Sequence, residues 1–128
     1  AALTAVPGSS DVVDRGFVTY SNEAKQALVG VPQSTLDAHG SVSAETARAM
    51  AQGGLARSNA MRIVAVTGVA GPGGGSSGKP VGLVWFGLAT PEGVETWSRI
   101  FPGGRADIRH ATAIEALRAL KTGASPAE

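Results

Sequence analysis

The sequence contains no cysteine. Disulfides, thiol nucleophiles and thiolate-bound metals are therefore excluded for these residues. Histidine is almost as scarce: His39 and His110 are the only two. They lie far apart in sequence with no carboxylate cluster beside them, so neither a metal nor another cofactor is expected. An excess of one charge sign is also lacking. The 11 Lys and Arg nearly balance the 10 Asp and Glu, for a net charge of +1. Such a balance gives no electrostatic reason to bind nucleic acid or an anionic membrane. No apolar run approaches the roughly 20 residues that span a bilayer, and no signal-peptide pattern opens the sequence. A cytoplasmic location is the resulting expectation.

What is present is glycine and apolar residue. The 128 residues are 43% hydrophobic and include 18 glycines. That length supports one domain with a real core. Glycine at about twice its usual frequency points to tight loops. The densest stretch spans 63 to 89, where Ile63-Val-Ala-Val66 enters a Gly/Ser/Pro loop that ends at Lys79-Pro80 and a second apolar run follows to Ala89. Two buried strands bracketing bare backbone is a site architecture, because a ligand can approach main chain that carries no Cβ. The same pattern also fits a plain hairpin connection.

Two phosphate-binding motifs are approached in this loop and neither is completed. Gly73 to Lys79 matches the Walker spacing up to the lysine, but Pro80 stands where a Ser or Thr should hold magnesium. Gly73-Gly-Gly-Ser-Ser-Gly78 fits G-x-G-x-x-G. Both motifs need a helix next, whose N-terminus receives the phosphates. The run from Val81, with Trp85 and Phe86, reads instead as a strand.

Along the chain, Ala1 to Val6 resembles the last turn of a helix stopped by Pro7-Gly8. Ser9-Ser10-Asp11 fits the cap of a short turn. Gly16 to Tyr20 reads as a strand. Ser21-Asn22-Glu23 then starts a helix, a short one follows over 33 to 39, and Ser43 caps a longer one with Ala47, Met50, Ala51, Gly54 and Leu55 facing inward. Thr90 to Gly93 is a turn. Val94 to Phe101 returns as an antiparallel strand with Trp97 and Phe101 on a mixed face that suggests an edge or an oligomer contact. The last helix covers 105 to 121, with Ala106, Ala113, Ile114, Leu117 and Leu120 along one stripe.

Three cations stand out. Lys25 lies in the first turn of its helix, at the positive end of the dipole. That position, reinforced by burial, depresses a lysine pKa and makes the amine a candidate base. Arg105 and Arg109 lie one turn apart at another helix start, where a bound carboxylate or phosphate between them would be favourable. All three also fit solvated surface positions.

Several blocks together resemble the C-terminal domain of the CinA family. They are Gly16-Phe-Val-Thr-Tyr-Ser-Asn-Glu-Ala-Lys25, His39-Gly-Ser-Val-Ser43, Val66-Thr-Gly-Val-Ala-Gly-Pro-Gly-Gly74, Lys79-Pro-Val-Gly82 and Phe101-Pro-Gly-Gly-Arg105. They occur in the family's order and cover nearly the whole chain. The resemblance implies a single three-layer α/β/α domain with a mixed sheet, assembled as a homo-oligomer. It also implies a nicotinamide mononucleotide deamidase that uses a Ser–Lys mechanism and no cofactor. Lys25 would be the base. Tyr20 and Thr67 would bond the carboxamide or its oxyanion. Ser10 and one of Arg105 or Arg109 would bind substrate, with the loop amides of Gly68, Gly71 and Gly73 as further anion donors.

Two departures qualify the resemblance. The family's nucleophilic serine lies in an Ala-Glu-Ser-Cys-Thr-Gly-Gly block, which is not found among residues 1 to 128. Gly104 replaces the usual Asp of the Phe-Pro-Gly-Asp-Arg block. The expectation is a CinA C-terminal-like domain over 1–128 without its first strand and nucleophile-bearing segment. The alternative is a non-catalytic mononucleotide-binding or assembly module.

Overall fold

The computed structural model describes residues 1–127. Two short 3-10 turns, Ala2–Thr4 and Ser9–Asp11, precede helices α1 (Asn22–Val29), α2 (Gln33–His39) and α3 (Ala44–Ala56). Strands β1 (Ile63–Gly68), β2 (Leu83–Thr90) and β3 (Gly93–Ile100) follow, and α4 (Arg105–Thr122) completes the chain. The sheet order is β1-β2-β3, and both pairings are antiparallel. The α/β class is as expected. Among the described residues no parallel strand pair is formed, so the mixed character expected of the sheet is not expressed within them.

The helices begin where the sequence places side-chain acceptors. The Ser21 hydroxyl accepts the Ala24 N–H at 3.0 Å, and Gly30 ends α1 in the left-handed conformation. Ser43 accepts the Thr46 N–H at 3.1 Å and donates to the Gly40 carbonyl. Ser43 is itself buried, so water cannot replace it as the cap. Ser43→Ala is expected to destabilise the fold by about 1–2 kcal/mol, read as a lower midpoint in urea at unchanged slope.

Each face of the sheet has its own core. On one face Met50 and Ala51 of α3 pack with Val29, Val31 and Leu36 against Ala65 and Ala89. This layer is close because its residues are small. A Cβ on Gly87 of β2 would stand 2.5 Å from the Ala47 carbonyl oxygen, so only glycine lets α3 lie this near. On the other face Ile108 of α4 covers Val84 and Phe86. Phe86 is fully buried, stacked on Trp97 at 5.2 Å and edge-on to Phe101 at 6.3 Å. The chain is therefore layered helix, sheet, helix.

Two local expectations are corrected and a third is refined. Residues 16–20 form no strand and make no backbone–backbone hydrogen bond among the described residues. β3 is an edge strand of the sheet, as expected, with Trp97 and Phe101 partly buried against the core under α4. The inward residues of α4 are Ile108, Glu115 and Ala119, whereas Ala106 and Ala113 are exposed. Glu115 explains the misplaced stripe. Its carboxylate accepts from Trp97 Nε1 at 3.2 Å and pairs with Arg99 Nε at 3.0 Å. A buried ion pair is invisible to hydrophobic periodicity.

Candidate functional site

Lys25 is only 6% exposed. Its Nζ donates to the Thr19 carbonyl at 2.8 Å and to the Tyr20 carbonyl at 3.4 Å. The amine thus folds back over the residues just before its own helix. Burial pushes the amine below the ordinary lysine range, because desolvation penalises the charged form. The sequence reading named the helix dipole with burial adding to it; in the structure burial is the cause.

The other expected residues are distributed around this centre. Tyr20 meets the amine through its main chain, while its ring points to solvent and is 87% exposed. Thr67 is buried on β1 and donates its hydroxyl proton to the Ser41 carbonyl at 2.6 Å. The Thr67 oxygen is thereby left as an acceptor. Ser10 is exposed in the second 3-10 turn. No hydrogen bond among the described residues joins Lys25 to Ser10 or Thr67.

A second group surrounds the far end of β1. A groove of about 300 Å³ is lined by Thr67, Gly68, Val84, Ile108 and Arg109, among others. It is mainly apolar, and Arg109 is its cation. Arg105 does different work. Its Nη1 donates to the Gly71 carbonyl at 2.8 Å, tying the start of α4 to the glycine loop. Gly71 is buried with φ of +80°, whereas Gly73 is exposed. The two arginines, which the sequence treats alike, are thus a latch and a groove cation.

Lys79, which ends the incomplete phosphate motif and opens the Lys79-Pro-Val-Gly82 block, holds the loop in place. Its amine donates to the His39 carbonyl at 2.6 Å, at the negative end of α2. It pins the glycine loop to residues 39–41, and Thr67 grips the same bend through Ser41. No local signal in the sequence marks this pairing of positions 40 residues apart. Among the described residues no cluster of three or more His, Asp or Glu is placed to hold a metal, and no helix is long and apolar enough to cross a membrane.

This geometry can be set beside known proteins. Residues 1–123 match the family model described as the CinA C-terminal domain. A CinA-like protein of Anaeromyxobacter dehalogenans is 48% identical over 119 residues, which cover 93% of this chain and 29% of that protein. The chain thus spans less than a third of the curated relatives it matches. Among solved structures, the competence/damage inducible protein CihA from Agrobacterium tumefaciens superposes with a TM-score of 0.90 at 52% identity, over 94% of this chain and 74% of that one. The competence damage-inducible protein A from Klebsiella pneumoniae gives 0.89 at 36% identity, over 94% and 75%. The layers, the buried Lys25 and the glycine loop therefore sit on a shared scaffold, and the chain belongs to the CinA family through its C-terminal domain.

Proposed function

We propose that this domain is the catalytic module of an amidohydrolase that converts nicotinamide mononucleotide to nicotinic acid mononucleotide and ammonia. The observation that carries the reading is the buried Lys25 amine. A neutral amine has two N–H groups and one lone pair. Two carbonyls, those of Thr19 and Tyr20, accept donated hydrogens. The lone pair then remains to take a proton from a hydroxyl, which is the work of a general base.

The steps follow from that poise. A serine hydroxyl, expected from polypeptide upstream of Ala1, gives its proton to Nζ as its oxygen attacks the carboxamide carbon. The tetrahedral oxyanion forms near the loop amides of Gly68, Gly71 and Gly73. The lysine returns the proton to the departing nitrogen, and ammonia leaves. Water, activated by the same amine, then hydrolyses the ester. Thr67 accepts from the carboxamide N–H₂ in this scheme, since its own proton is committed to Ser41. Arg109 holds the substrate phosphate. A homo-oligomer in the cytoplasm belongs to the same reading.

Among the described residues the Lys25 amine hydrogen-bonds to main-chain carbonyls alone, and this favours a second reading, a module that binds the mononucleotide without hydrolysing it. Ammonia release by the intact protein separates the two. Calorimetric binding of the mononucleotide with no ammonia would select the second. Under the first, Arg109→Ala is expected to raise KM about 10-fold or more with kcat little changed. Arg105→Ala should act through the loop and move kcat as well. Unchanged KM in Arg109→Ala would remove it from the phosphate role.

A further inference from the structure

β3 has an edge that no strand covers, since it pairs only with β2. The Phe101 N–H donates to the Gly82 carbonyl at 3.0 Å, toward β2. Backbone groups alternate in direction along a strand, so Val94, Thr96, Ser98 and Ile100 point theirs outward. Two side chains agree with that direction. Arg48 Nη1 caps the Val94 carbonyl at 3.2 Å, and Arg99 Nη1 reaches the Ser98 carbonyl at 3.4 Å. An uncovered edge strand is a template for another strand unless the fold guards it.

The sequence of β3 is complementary to itself. Antiparallel pairing of two copies about Trp97 sets Val94 opposite Ile100, Glu95 opposite Arg99 and Thr96 opposite Ser98. Apolar thus meets apolar, acid meets base and hydroxyl meets hydroxyl, the pairings that stabilise neighbouring strands. Ile100 is 66% exposed in the single chain and would gain cover. The segment after α4 stands in the partner's place. The Ser125 N–H donates to Glu95 Oε1 at 3.1 Å, and Arg99 Nη2 donates to the Pro126 carbonyl at 2.7 Å. Ser125 and Pro126 are half-buried there. A donor on Glu95 and an acceptor on Arg99 are what the Arg99 and Glu95 of a second copy would offer. Residues 124–127 lie beyond the 1–123 that match the CinA C-terminal domain.

We infer that residues 123–127 are a strap that closes the outer edge of β3, and that displacing the strap lets β3 pair with β3 of a second copy. Arg48 is an exposed side chain that can rotate off the Val94 carbonyl as the strands meet. Arg99 keeps its bond to Glu115, which comes from its own chain. The inference concerns assembly alone and stands whether or not the domain hydrolyses the mononucleotide.

The test compares the intact protein with a variant lacking residues 124–127, by sedimentation equilibrium and amide hydrogen exchange. The deletion is expected to make the mass rise with concentration above that of the wild type. Exchange at Thr96 and Ser98 should slow about 10-fold or more, while the inward amides of Glu95 and Trp97 keep their wild-type protection and report an intact fold. Ser125→Pro, which removes only the N–H given to Glu95, should shift both readouts the same way by less. It decides alone if the deletion loses the inward protection. Adding Thr96→Pro or Glu95→Lys to the deletion should abolish the association, since the first removes an outward N–H and the second sets like charges opposite. The inference is overturned if loosening the strap leaves mass and exchange unchanged, or if the association survives both substitutions. It is also overturned if Thr96 and Ser98 of the wild type are already protected in proportion to concentration.

Discussion

Lys25→Met is expected to lower ammonia release from nicotinamide mononucleotide by about 10³-fold or more in the intact protein, while leaving the fold nearly as stable near pH 7. The first effect follows from removing the base of a nucleophile–base pair. The second follows from burial. Methionine fills a similar volume, loses the bonds to the Thr19 and Tyr20 carbonyls and no longer buries a charge. The pH dependence has a definite sign. In the unfolded chain the amine titrates at about 10.4, and in the fold it titrates lower. Between those two values the unfolded state binds more protons, so stability rises with pH across that window. Below the folded value both states are charged and the full burial penalty applies. Lys25→Met should lack this rise. Activity should likewise increase with pH through the depressed value, because only the neutral amine accepts a proton. Wild-type turnover in the methionine variant would remove Lys25 from the reaction.

Gly53→Ala should destabilise the domain by about 2–3 kcal/mol, although helix propensity alone predicts the reverse. An alanine in a helix interior is favoured over glycine by about 1 kcal/mol. Here the added methyl would overlap the Val29 carbonyl oxygen at the end of α1. Backbone cannot rotate aside as a side chain does, so α1 must shift away from α3, and overpacking of this kind costs about 1–3 kcal/mol or more. The shift would reach the site, because Lys25 and Val29 share α1 one turn apart. Loss of stability in chemical denaturation together with reduced turnover is the expected pair of results. A stabilised Gly53→Ala would show that α1 and α3 are looser than their packing implies.

The sequence made the helices and the sheet pairs legible where one cause dominates. Ser21 and Ser43 cap the helices they were expected to cap, and Ala47, Met50, Ala51 and Gly54 form the buried seam of α3. The hairpin of β2 and β3 turns at 90–93 as its composition suggests. Legibility failed where a partner distant in sequence decides the outcome. Residues 16–20 have strand composition, but strand formation needs a neighbouring backbone, and they make no backbone–backbone hydrogen bond among the described residues. Glu115 is buried because Trp97 and Arg99 receive it. The division of labour between Arg105 and Arg109 depends on where the Gly71 carbonyl lands. At the site, Lys25 was legible as a candidate base, but its burial, the outward ring of Tyr20 and the Lys79–His39 tie were not, since they are set by how the chain turns between elements.

The measurement that bears most directly on the buried amine is an NMR titration of the Lys25 ¹³Cε resonance in the folded chain. A base held neutral by desolvation should titrate clearly below the free-lysine value of about 10.4. A midpoint at or above that value would mean that the amine stays charged through the neutral range, and Lys25 could not be the base.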